Sequence, residues 1–100
     1  MANMAFWLPQ VRQCLLRHGR VFTVRSYLVE GRFGRIVQAE GVGACWRELV
    51  CEVRCKDDLL GYLEFSGFTT VEQWWDQVLR FCGSKPKWLY KVTIYKNGGP

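Results

Sequence analysis

Residues 69–96, TTVEQWWDQVLRFCGSKPKWLYKVTIYK, hold the two clearest periodicities in the chain and decide its fold class. Thr69 followed three residues later by Glu72 reads as a capping box, in which each side chain bonds an amide that the first helical turn leaves open. Val71, Trp74, Trp75, Val78 and Cys82 then recur at the 3.6-residue helical period, and Gly83 ends the helix. After Pro86 the period drops to two. Trp88, Tyr90, Val92 and Ile94 fall on one face of a strand, with Leu89, Lys91, Thr93 and Tyr95 on the other.

Moving towards the N-terminus, residues 46–55, WRELVCEVRC, alternate in the same way. Leu49, Cys51, Val53 and Cys55 are expected to face the core, with Glu48, Val50, Glu52 and Arg54 turned outwards. RIVQAEGV, residues 35–42, reads as another strand, and EGRFG, residues 30–34, as the turn before it. VFTVRSY, residues 21–27, reads as a strand with Phe22 and Val24 on one face and Thr23 and Arg25 on the other. A first helix is expected over Leu8–His18, with Pro9 in its first turn and Gly19 as its C-terminal cap. Residues 1–5 and 97–100 read as loose tails. Helix, several strands, helix, strand, without a βαβ rhythm, predicts an α+β fold. The expected core is a mostly antiparallel, barrel-like sheet with two main helices.

One hundred residues fit one domain, 1–100, with a single modest core. A content of 49% hydrophobic and 15% aromatic residues excludes a disordered chain. No apolar run approaches the ~20 residues of a membrane span, and the N-terminus shows no signal-peptide pattern, so a cytoplasmic protein with no membrane partner is expected. The five cysteines contain no C-x2-C spacing and His18 is the only histidine. Neither a metal site nor another cofactor is therefore expected, and the cysteines read mainly as reduced core residues.

The charge is unevenly placed. Residues 1–35 hold Arg12, Arg17, Arg20, Arg25, Arg32 and Arg35 against Glu30 alone, which accounts for the whole net charge of +5. Residues 36–100 carry eight Lys or Arg and eight Asp or Glu. Guanidinium groups suit bidentate phosphate contacts and stacking on bases, so RNA or a nucleotide is the expected partner. Ordinary solubilising charge is the competing reading.

GFTTVEQWWDQVLRFCGSKPKWLYKVTIYK resembles the C-terminal half of an ASCH domain, and LLRHGRVFTVRS resembles the family's G-x-K-x-x-E-x-R motif. Laid on that motif, Arg20 takes the Lys position, Thr23 the Glu position and Arg25 the Arg position. The resemblance covers roughly residues 8–96. It implies a PUA-like β-barrel with an RNA- or nucleotide-binding cleft beside the first strand. Some small ASCH proteins are amidohydrolases acting on acetylated cytidine. That resemblance would give a catalytic trio of Arg20, Thr23 and Glu64, with Ser66 nearest the family's Glu position. Arg20 keeps its proton where a family Lys could lose it, so binding ranks above hydrolysis or ribonuclease action.

Arg20, Thr23 and Arg25 are thus the first site candidates, flanked by Arg12, Arg17, Arg32 and Arg35. Tyr27, Phe33 and Trp46 are candidate stacking residues near the basic third. A Trp-rich helix left partly exposed would instead favour a protein-docking surface or a homodimer.

Overall fold

Pro9 pre-sets the backbone of the first helical turn, and α1 runs Pro9–His18 in the computed structural model. The structure describes residues 2–4 (backbone), 8–28 and 34–95. Gly19 caps α1 at φ 76°, where a side chain would be strained, and its amide bonds the Leu15 carbonyl at 2.8 Å. The chain passes directly into β2 (Arg20–Arg25), then β3 (Arg35–Ala39) and β4 (Gly43–Val53). A 3-10 helix over Lys56–Phe65 follows, then α2 (Val71–Cys82) and β5 (Lys87–Ile94). Residues 2–4, expected to be loose, form a short strand, β1 (Ala2–Met4), parallel to β3.

The sheet order is β1-β3-β4-β5-β2, and β2 to β5 pair antiparallel. The sheet is open, with β1 and β2 as its edges, where the sequence reading expects barrel-like closure. The result is a small α+β fold whose sheet separates two cores. On one face α1 lays Cys14 and Leu15 on Val21, Val37, Cys45 and Val92. On the other, α2 and the 3-10 helix pack Trp74, Val78 and Leu59 on Val24, Val53 and Leu89. Among the described residues no helix is long and apolar enough to cross a membrane.

Three local details differ from the sequence reading. Thr70, not Thr69, caps α2: its hydroxyl accepts from the Gln73 amide at 3.2 Å. In β4 the register slips between Leu49 and Cys51, so Val50 is the extra residue of a β-bulge. Leu49 lies opposite Tyr90 and Cys51 opposite Leu89, which turns Cys51 and Val53 to the α2 side instead of Leu49's side. Cys55, expected in the core, is exposed at the start of the 3-10 helix. There the Asp58 carboxylate accepts from the amides of Arg54 and Cys55 at 2.8 and 3.3 Å, and these bonds hold it below the usual carboxylate range. All five cysteines are free thiols.

Candidate functional site

The site begins with the free edge of β2. The Ile94 amide donates to the Gly19 carbonyl at 2.9 Å, and the β2–β5 register continues without a break. In an antiparallel ladder hydrogen-bonded and non-bonded pairs alternate. Val21, Thr23 and Arg25 therefore turn their backbone groups towards β5. The N–H and C=O of Phe22 and Val24 point the other way, off the edge of the sheet.

A half-open cleft lies along this edge. β2 contributes Phe22 to Arg25, and Leu8 and Val11 come from the start of α1. Trp74, Gln77, Val78 and Phe81 come from α2, and Ser66 and Phe68 from the loop before it. The walls are aromatic. Phe68 stacks on Trp74 with centroids 6.2 Å apart, and Phe81 stands at the cleft with 55% of its surface exposed.

The Ser66–Phe68 loop is fixed from within. Ser66 is fully buried; its hydroxyl donates to the Leu63 carbonyl at 2.7 Å and accepts from the Phe68 amide at 3.0 Å. Gly67 has φ 86° and sits so close to α1 that a Cβ would lie 2.8 Å from the Gln10 carbonyl oxygen. Only glycine lets loop and helix meet there.

Thr23 lines this cleft at 4% exposure, and its Oγ1 has no hydrogen-bond partner among the described residues. A buried hydroxyl without a partner is uncommon, because its desolvation is uncompensated. Arg25 lies beside it. Burial pushes the Arg25 guanidinium below its ordinary value, while the neighbouring Tyr27 phenol works in the opposite direction.

The structure thus brings Thr23 and Arg25 together and separates Arg20 from both. Arg20 is exposed and lies over the Phe65 ring, 4.2 Å from its centroid, away from the cleft lining. The opposite alternation of residues 20 and 23 along the strand is the cause. Glu64 is exposed on the 3-10 helix and does not line the cleft, so the hydrolytic trio is split. Arg12 lies over Gly41, Arg17 is exposed on the last turn of α1, and Arg35 is exposed on β3. Tyr27 follows β2 and is partly exposed, and Trp46 stacks on Tyr95. Arg32 and Phe33 lie outside the described residues. Among the described residues no three His, Cys, Asp or Glu gather as metal ligands would.

Sequence reasoning passed over Arg47. This arginine of β4 is 4% exposed, and its Nη1 donates to the Tyr27 hydroxyl at 3.2 Å. Its guanidinium carbon stands 5.7 Å from the Tyr27 ring centroid and 5.5 Å from that of Tyr90. The Tyr90 hydroxyl in turn donates to the Tyr27 carbonyl at 2.8 Å. The signal was present: Arg47 shares its alternation with Cys45 and Leu49, an inward position at which a charge calls for a reason.

The fold and this cleft define a small α+β domain with an open antiparallel sheet and an aromatic-walled slot at one edge. Comparison with known proteins gives no matching family model, no matching curated protein and no matching solved structure.

Proposed function

We propose that the protein binds RNA or a free nucleotide in the cleft beside β2. The observation that carries this reading is the buried Thr23 hydroxyl, unpartnered among the described residues, lining an aromatic-walled cleft next to Arg25. A planar base fits such a place chemically. Its faces stack on rings, and its edge offers donors and acceptors to the Thr23 hydroxyl and to the outward backbone of Phe22 and Val24, for which no partner stands among the described residues. Arg25, which lines the cleft, supports the same reading, since the negatively charged backbone of RNA is drawn to a guanidinium group. The reading also takes the sheet and its helices as a form of the PUA-like barrel implied by the ASCH resemblance, acting in the cytoplasm.

The test is fluorescence-anisotropy titration with single-stranded RNA of mixed sequence, over a salt series. Binding is expected to weaken as salt rises, with a log–log slope of roughly 0.7 per neutralised phosphate. Phe81→Ala removes an exposed ring at the cleft and is expected to lower affinity roughly tenfold, as lost base stacking does. Arg20→Ala, on the far side of the strand, is expected to change affinity about as little as other single surface charges do. RNA affinity that is insensitive to Phe81→Ala, in a variant with a native melting curve, would remove the cleft as the binding site.

A further inference from the structure

Gln77 borders the same cleft as the free edge of β2. Trp74, Gln77, Val78 and Phe81 share one side of α2, since residues three and four apart stand above one another on a helix. Trp74 and Val78 pack with Val24 and Phe22 in one core cluster, which fixes that side of α2 towards the strand. Gln77 is half-buried, and its carboxamide has no hydrogen-bond partner among the described residues. The other neutral side chains that bring polar atoms to the cleft are Thr23 and Ser66. The Ser66 hydroxyl already makes two bonds within its own loop. The Thr23 hydroxyl can rotate to donate or to accept, so it favours no base.

Two groups of fixed polarity therefore face the cleft. The first is the main chain of β2, where the Phe22 carbonyl and the Val24 amide follow one another along the edge, unpaired among the described residues. Every base has a donor beside an acceptor on its Watson–Crick edge, so this pair accepts any base in one orientation or the other. The second is the Gln77 carboxamide, and it discriminates. A carboxamide matches adenine at its N6 amino group and N7, a donor beside an acceptor. Guanine presents two acceptors there, O6 and N7, which would leave the Gln77 oxygen facing an acceptor. Cytosine has an amino group but no N7, and uracil has neither. Adenine alone can satisfy both groups at once, because its amino group carries one hydrogen for each.

We propose that the cleft selects adenine. The amino group donates to the Phe22 carbonyl and to the Gln77 carboxamide oxygen, N1 accepts from the Val24 amide, and N7 accepts from the Gln77 carboxamide nitrogen. The proposal rests on the nucleotide reading above and names the base.

Calorimetric titration of the folded protein with adenosine, guanosine, cytidine and uridine tests it, with 7-deazaadenosine and 1-deazaadenosine as probes of N7 and N1. The wild-type protein is expected to bind adenosine roughly tenfold or more tighter than the other three, the scale of a bidentate base contact. Each deaza analogue is expected to bind roughly tenfold more weakly than adenosine. Gln77→Ala keeps a strong helix former at a half-buried position, so the variant is expected to fold. It should bind adenosine and 7-deazaadenosine equally, while the loss for 1-deazaadenosine persists. A 7-deaza loss that survives in Gln77→Ala overturns the proposal, and so does equal weakening of all four nucleosides, which would show a merely structural Gln77. Wild-type protein that binds guanosine as tightly as adenosine also overturns it, yet leaves base binding standing. Binding of no nucleoside, nor of RNA, removes the nucleotide reading and the adenine assignment with it.

Discussion

Replacing Thr23 by Val exchanges a hydroxyl for a methyl of nearly the same shape, at a position 4% exposed where the hydroxyl has no partner among the described residues. In the free protein that hydroxyl is a liability, and leaving such a group buried and unbonded costs about 1–3 kcal/mol. Val removes the cost and adds apolar surface beside the buried Val21 and Val24. Stability is therefore expected to rise by about 1 kcal/mol or somewhat more. For a domain of this size each kcal/mol moves the midpoint by roughly 4–8 °C. Differential scanning calorimetry should show Thr23→Val melting several degrees above wild type. The same variant should bind nucleotide more weakly, by roughly tenfold if one hydrogen bond is lost. A variant that gains stability and loses ligand is the signature of a polar group kept for function at a cost to the fold. A lower melting temperature for Thr23→Val would refute the reasoning, because it would mean that the hydroxyl already has a satisfied bond in the free protein.

Two further outcomes follow from the same packing. Gly67→Ala forces a Cβ to within 2.8 Å of the Gln10 carbonyl at φ 86°, so a loss of about 1–3 kcal/mol is expected in urea unfolding, together with weaker ligand binding as the Ser66–Phe68 wall moves. Burial pushes the thiols of Cys14, Cys45 and Cys82 up from their ordinary value, so the folded state holds those protons more tightly than the unfolded chain does. Their contribution is fully present below the unfolded thiol value, roughly pH 8.5, and is lost as pH rises through the folded values. Urea midpoints should therefore fall above about pH 8.5, and a thiol reagent at neutral pH should label exposed Cys55 first and the three buried thiols only on unfolding.

Much of the architecture was readable where a single period held throughout an element. The inward stripe of α2, and the alternation of β5 with Tyr90 and Val92 buried, appear as the sequence implies. Where period and pairing part company, the sequence misleads. Leu49, Cys51 and Val53 look like one continuous apolar set, but the unpaired Val50 inverts the phase, a choice made by the partner strand. The 3-10 helix at Lys56–Phe65 leaves no comparable stripe, because its side chains do not follow a 3.6-residue repeat. Adjacent Thr69 and Thr70 are equivalent caps on paper, each followed three residues later by Glu72 or Gln73, and the folded chain uses Thr70. In the candidate site, Thr23 and Arg25 could be paired from their two-residue spacing alone. Arg20 could not be placed, since the aromatic ring that holds it, Phe65, lies 45 residues further along the chain. Arg47 escaped notice because its significance comes from Tyr27 and Tyr90, which only strand pairing brings to it.

The outward amide and carbonyl groups of Phe22 and Val24 set a limit on how this cleft can change. Chemistry presented by the main chain is indifferent to which side chain stands at those positions, so point substitution there alters the shape of the slot without altering the pattern of donors and acceptors along its floor. Proline alone erases a donor. Recognition written into the backbone in this way would drift slowly over evolution, while the aromatic walls around it remain free to vary.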